Sequence, residues 1–314
     1  MAARPIDRIA VAGAGAIGGW VAAKLALAGH RVSAFGRGGA VDTIRLVETG
    51  NARDAQLEQA SGPADLLIVA VKAPALADAA QAARRLIGPD TLILPMLNGV
   101  PWWFVPGEPL QSVDPDGSVG QSLPFDQVIG CVVHAACRRS GPAEVTVVHA
   151  DRLILGEPGG GGTSDRVAEL AALFEGAGIR SEQSDDVRSE IWYKLWGNAT
   201  INPLSALTRA TADRLHAEPH LRQFMLDAME ELAAVGAAIG CPISESGEDR
   251  MAVTQRLGAF KTSMLQDVEA GRPMELEALL GAPREIARRA GIATPKLDQL
   301  YAQTRLLGES LNLL

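Results

Sequence analysis

Apolar positions along the first half of the chain come in short bursts separated by helix-like stretches. Arg8 to Ala12 reads as a short buried strand, Ala16 to Ala28 as an alanine-rich helix ended by Gly29, and Arg31 to Phe35 as a second strand. Leu66 to Val71 (LLIVAV) is uninterrupted apolar, a helix is predicted from Pro74 to Leu86, and another apolar run covers Thr91 to Leu94. Strands that are apolar on both faces and alternate with helices predict a parallel sheet covered on both sides. From Gln127 to Gly156 the rhythm changes to three β-rich segments, VIGCVVHAACRR, AEVTVVHA and RLILG, which predict an antiparallel extension. Ser164 is placed to cap a helix reaching Glu175. From about Asp185 the strand signal gives way to alanine- and leucine-rich helical stretches. The expected architecture is α/β: a doubly wound sheet over residues 1–184, then a second, all-helical domain over 185–314.

Composition narrows the class. The chain has 314 residues, 47% apolar and 21% charged, as an ordinary globular protein does. Its net charge of −8 is the wrong sign for a general binder of nucleic acid or anionic membrane. Cys131, Cys137 and Cys241 lack the paired spacing of a zinc site or redox pair, which points to a reducing compartment. The N-terminal MAARPIDRIAVAGAGAIGG lacks the form of a secretory leader, and Lys24 with many glycines interrupts the best candidate for a membrane span. A cytoplasmic protein is expected.

The chemistry begins at GAGAIG, Gly13 to Gly18, between the first strand and the first helix. There Gly13 permits a tight turn, Gly15 the approach of a pyrophosphate, and Gly18 close packing of helix on strand. Ala16 and Ile17 open the helix, whose N-terminal N–H groups favour phosphate. This is the context of a Rossmann dinucleotide site. The second strand ends Ser33-Ala34-Phe35-Gly36-Arg37, with a cation where an NAD site carries a carboxylate, so NADP is favoured. Lys72 and Asn98 follow later strands, at the ends where a doubly wound sheet places its ligands.

In the helical half, IWYKLWGNATINPLSALT sets Lys194, Asn198 and Asn202 at i, i+4 and i+8, one polar stripe on a helix. A single lysine and two asparagines between indoles suggest a lined cleft rather than a wet face. Ser263, Asp267 and Glu275 follow in TSMLQDVEAGRPMELEALLG. His216 and His220, with Pro219 between them and no general-base glutamate, do not make a metal motif. The Gly159 to Gly162 run reads as a linker turn, because no phosphate-loop lysine follows.

Together these pieces resemble the ketopantoate reductase (2-dehydropantoate 2-reductase) family over nearly the whole chain. The resemblance rests on GAGAIG, Val71-Lys72, Asn98-Gly99, the KxxxNxxxNPLSAL segment from Lys194, and SMLQD followed by GRPMELE. It implies a Rossmann domain, a helical domain and an active site in the cleft between them. By the same resemblance Lys194 donates a proton as NADPH delivers hydride. Asn198, Asn202 and Ser263 bind the substrate hydroxyl and carboxylate, and Glu275 interacts with the lysine and the substrate. Lys72 and Asn98 flank the nicotinamide, and Arg37 takes the 2′-phosphate. The chain departs from the family at VPWWFVPGEPLQSVDPDGSVG, a bulky insertion carrying Trp102 and Trp103, and at Ala75 and Ala212. The implied activity is reduction of ketopantoate to pantoate. Another 2-keto acid, or an NADP-binding regulator without turnover, is the alternative. A small-molecule partner is expected, with no nucleic acid and no membrane, and a homodimer stays open.

Overall fold

An interior parallel sheet requires strands without a wet face, and the chain supplies them at once. The structure, a computed structural model, describes residues 6–107, 109–256 and 258–314. Residues 1–5, on which part of the expectation about the N-terminal stretch falls, lie outside the described residues. Two units divide the chain: Met1–Leu97 with Gly117–Glu190, and Asn98–Asp116 with Ile191–Leu314. The sequence reading puts the change near Ser184 and leaves Asn98–Asp116 in the first domain. In the structure that segment belongs to the second unit, because its apolar side chains are buried there.

The first unit runs β1 (Arg8–Ala12), α1 (Ala16–Leu27), β2 (Arg31–Gly36), β3 (Gly39–Val41), β4 (Thr43–Glu48), β5 (Asn51–Gln56), β6 (Leu66–Val69), α2 (Leu76–Ala83), β7 (Leu92–Pro95), α3 (Ser118–Ser122), β8 (Gly130–Gly141), β9 (Glu144–Gly156), α4 (Asp165–Gly176) and β10 (Ser181–Gln183). One sheet has the order β3-β2-β1-β6-β7 and is parallel except at the edge strand β3. All of β6 and four of the five residues of β1 are buried, as the apolar runs predict. A second sheet has the order β10-β9-β4-β5, with β8 paired antiparallel to β9.

The alanine and glycine content of α1 follows from its place between the two sheets. Trp20, Val21, Ala22, Ala23 and Leu25 are all buried, and Lys24 among them pairs with Glu48 at 3.6 Å. A side chain at Gly19 would come within 2.9 Å of Val145 on β9. The antiparallel extension differs from the expectation in one respect: AEVTVVHA and RLILG form the single strand β9. Asp151 interrupts the apolar run but is taken up in the strand by ion pairs to Arg152 and to Arg180 at 3.5 Å, and register shifts against β8 absorb the irregularity. Ser164 caps α4 as predicted, its Oγ accepting from the N–H of Val167 at 3.3 Å. Burial with the nearby Glu48 charge pushes the Cys137 thiol up to about 12.

In the second unit the helices are α5 (Val187–Thr208), α6 (Ala212–Ala217), α7 (Pro219–Ala238), α8 (Gly247–Gln255), α9 (Ser263–Glu269), α10 (Ala282–Arg289) and α11 (Pro295–Leu311). A π-helical turn, Glu277–Gly281, leads directly into α10. Trp192 and Trp196 join α5 to α7. Both indoles are buried, and their Nε1 atoms donate to the carbonyls of Leu232 at 3.1 Å and Met229 at 2.7 Å. The Asn98–Asp116 segment extends this core: Trp102, Trp103 and Phe104 are buried, and Phe104 stacks on Trp192 at 5.8 Å. Glu285 fixes its far end, accepting from the N–H of Gln111 at 2.9 Å and from both the N–H and Oγ of Ser112 at 2.8 and 2.7 Å. No helix among the described residues is long and apolar enough to cross a membrane.

Candidate active site

In the first unit, the turn from β1 into α1 is built from backbone. Gly13 takes φ +103°, a conformation that side chains disfavour, and a Cβ there would lie 2.6 Å from the Ala70 carbonyl oxygen. Gly18 is packed as closely: its Cβ would meet the Gly13 carbonyl oxygen at 2.0 Å. A Cβ on Gly15, by contrast, would meet nothing within 4 Å, so open space lies over the turn. Gly15 is the N-cap of α1, and no side chain caps the helix. The N-terminal N–H groups of Ala16, Ile17 and Gly18 have no earlier helical carbonyl to bond, which suits a diphosphate.

The N–H of Gly13 donates to the Phe35 carbonyl at 2.8 Å, tying this turn to the end of β2. Arg37, two residues beyond Phe35, is exposed. Val71 lies against Gly13 and Lys72 follows it, half-buried. The backbone N–H groups at this glycine turn fit the diphosphate of a dinucleotide.

In the second unit, α5 sorts its residues by angle. Lys194 stands two positions, about 200°, from Trp192, so the indole face turns to α7 while Lys194, Asn198 and Asn202 share the other side. The expected indole-lined cleft is not what the helix makes, because the indole N–H groups are spent on α7 carbonyls. Lys194 Nζ donates to Asn98 Oδ1 at 3.1 Å. Two turns on, the buried Asn202 donates from Nδ2 to Ser263 Oγ at 3.4 Å. Asn198 is half-buried between these two pairs in sequence, and Glu275 is buried just ahead of the π-helical turn.

Asn98, Lys194, Asn198, Asn202, Ser263 and Glu275 thus lie in this unit, with Lys194 brought to Asn98 and Asn202 to Ser263. Asp267 has a different part. It is buried and accepts from Arg272 Nε at 3.0 Å, a pair that fixes the end of α9. Arg272 is absent from the sequence-selected set, although its five-residue separation from Asp267 across Gly271 is an available signal. Among the described residues no group of three or more His, Cys, Asp or Glu side chains gathers as metal ligands. His216 is buried with neither ring nitrogen hydrogen-bonded; burial, then the charge of Arg222, lowers its pKa.

A doubly wound sheet with a glycine turn, carried in one chain with a helical unit bearing a lysine–asparagine pair, defines the class as a dinucleotide-dependent oxidoreductase. The model of ketopantoate reductase PanE/ApbA matches residues 9–160, and that of its C-terminal part matches residues 186–308. The chain belongs to the ketopantoate reductase family, whose members use a nicotinamide cofactor to act on a keto group. A 2-dehydropantoate 2-reductase of Mesorhizobium japonicum is 38% identical over 96% of this chain and 97% of its own. The structure of a candidate ketopantoate reductase from Ralstonia solanacearum MolK2 is 44% identical and superimposes with a TM-score of 0.93, covering 98% of this chain and 100% of that one. The 2-dehydropantoate 2-reductase of Methylococcus capsulatus, 31% identical, gives a TM-score of 0.82 over 97% of both chains.

Proposed function

We propose that this oxidoreductase is an NADPH-dependent 2-dehydropantoate 2-reductase, which reduces ketopantoate to pantoate on the route to pantothenate and coenzyme A. The observation that carries the reading is the contact of Lys194 Nζ with Asn98 Oδ1 at 3.1 Å, an ammonium held in place by a neutral acceptor. The amide oxygen accepts one of the three N–H bonds of the ammonium and so fixes where the group stands, as a proton donor requires.

The residues divide the work as follows. Gly13, Gly15 and the N–H groups of Ala16, Ile17 and Gly18 would hold the pyrophosphate, Arg37 the 2′-phosphate, and Lys72 with Asn98 the nicotinamide end. When bound, the reduced dinucleotide supplies a hydride for the keto carbon. Lys194 gives its proton to the carbonyl oxygen, and Glu275 stabilises the ammonium and the substrate. Asn198, Asn202 and Ser263 bind the hydroxyl and carboxylate of the acid. Cytoplasmic location and a homodimer belong to the same proposal; fractionation and light scattering read them.

The test is NADPH oxidation with ketopantoate beside related 2-keto acids. Ketopantoate is expected to give the highest kcat/KM. A better rate with another acid moves the substrate, and NADPH binding without turnover on any of them replaces the enzyme by a regulator.

Arg37 carries a separate expectation. NADPH should bind more tightly than NADH, and Arg37→Ala should narrow the preference about tenfold to a hundredfold, the equivalent of one charge-assisted bond of about 1.5 to 3 kcal/mol. Fluorescence titration with both cofactors measures it. Equal affinities in the unmutated protein would remove the argument for NADP.

A further inference from the structure

We propose that the π-helical turn Glu277–Gly281, together with Pro283, is a positioning device for the Lys194 ammonium; the inference rests on Lys194 being the proton donor. In a regular α-helix the carbonyl of Ala278 would accept from the N–H four residues on, that of Ala282. Here Ala282 reaches one residue farther back and donates to Glu277. The next residue is Pro283, which has no N–H. Ala278 is left with neither regular helical donor.

Its carbonyl is used instead by the segment that begins at Asn98. The N–H of Val100 donates to the Ala278 oxygen at 2.8 Å. Gly99 lies flat against the same group: its φ is +79°, and a Cβ would stand 2.4 Å from that oxygen. Any side chain at this position would lift the turn away. Asn98, the next residue back, presents Oδ1 to Lys194 Nζ. The missing N–H of Pro283 is thus converted, through Ala278, Val100 and Gly99, into a fixed position for the acceptor that orients the lysine. Glu275 is set by the same stretch, its carbonyl accepting from the N–H of Leu279 at 3.2 Å. Single π turns inside α-helices are frequent at functional sites, and this one frees a carbonyl that a regular helix would consume.

The decisive variant is Pro283→Ala, which restores an N–H and favours regular helix, drawing the Ala278 carbonyl back into the ladder. A proline with only a structural part predicts an unchanged or raised Tm and an unchanged kcat. A positioning part predicts that Tm is kept or raised while kcat falls about tenfold or more. A readout independent of turnover is the ¹³Cε signal of Lys194 in lysine-labelled protein, resolved from Lys24, Lys72, Lys261 and Lys296 by Lys194→Arg. In Pro283→Ala this signal should move toward its position in Asn98→Ala. A kcat within twofold of the parent and an unmoved signal overturn the inference. If the parent itself reduces no 2-keto acid, the proposed function fails, and the ¹³C signal alone decides the positioning. Should Pro283→Ala not fold, Gly99→Ala lifts the same turn and is read the same way.

Discussion

Lys194→Ala is expected to lower kcat by about 10²- to 10⁴-fold, the usual contribution of a positioned proton donor, while the Kd for NADPH stays nearly unchanged. The split follows from the division of residues. Most groups assigned to the dinucleotide, Gly13 to Gly18, Arg37 and Lys72, belong to the first unit, whereas Lys194 belongs to the second, and Asn98, assigned to the nicotinamide end, keeps its own side chain in this variant. Lys194→Arg should not rescue turnover, since a guanidinium hardly releases a proton and its planar fork differs in shape from an ammonium. Single-turnover kinetics with preloaded NADPH separate the chemical step from binding. If Lys194→Ala kept most of its rate, the donor would lie elsewhere, with Lys72 the next candidate.

Much of this site is legible in the amino-acid sequence. Gly13 to Gly18 and Lys194 with its two asparagines are local patterns, and a local pattern needs no distant partner to be seen. The tryptophans mislead because proximity along the chain is not proximity in space. Trp192 and Trp196 are neighbours of Lys194 in sequence, yet the 3.6-residue period turns Trp192 about 200° away, and counting angles places both indoles on the α7 side. The hairpin of β4 and β5 gives no signal because β5 (NARDAQ) buries only Ala55 and so shows no alternation. Glu285 is illegible on physical grounds. Its partners are backbone groups 173 and 174 residues away, and a backbone N–H looks the same in every sequence.

Glu285 gives the second large effect. Glu285→Ala should cost roughly 3 kcal/mol of unfolding free energy, because it strips an acceptor from two backbone N–H groups, the Ser112 hydroxyl and Arg289 at once. The pH dependence has a definite sign. Burial raises the Glu285 carboxyl, but the hydrogen bonds from Ser112 and Gln111 and the charge of Arg289 outweigh it, and the group lies below its ordinary 4.5. A carboxyl lowered on folding adds stability above its unfolded value and loses it as pH falls through the folded value. The stability gap between the parent and Glu285→Gln should therefore be full at neutral pH and shrink below about 4.5. Urea unfolding across that range measures it. A gap that stays constant into acid would show that the carboxylate charge is not what holds residues 111 and 112.

The threading of the chain has a consequence for its biosynthesis. Trp102, Trp103, Phe104 and Leu110 leave the ribosome in the first half of translation, but the helices that cover them begin only at Ile191. Until that later half emerges, a cluster of large aromatic and aliphatic side chains waits in water beside a sheet that can already assemble. Such a nascent chain is a natural client for a hydrophobic holdase, and truncation between residues 117 and 190 should leave a sticky fragment rather than a free-standing nucleotide-binding domain. A clean excision of that domain has to remove residues 98–116 as well and join Leu97 to Gly117 through a short polar linker.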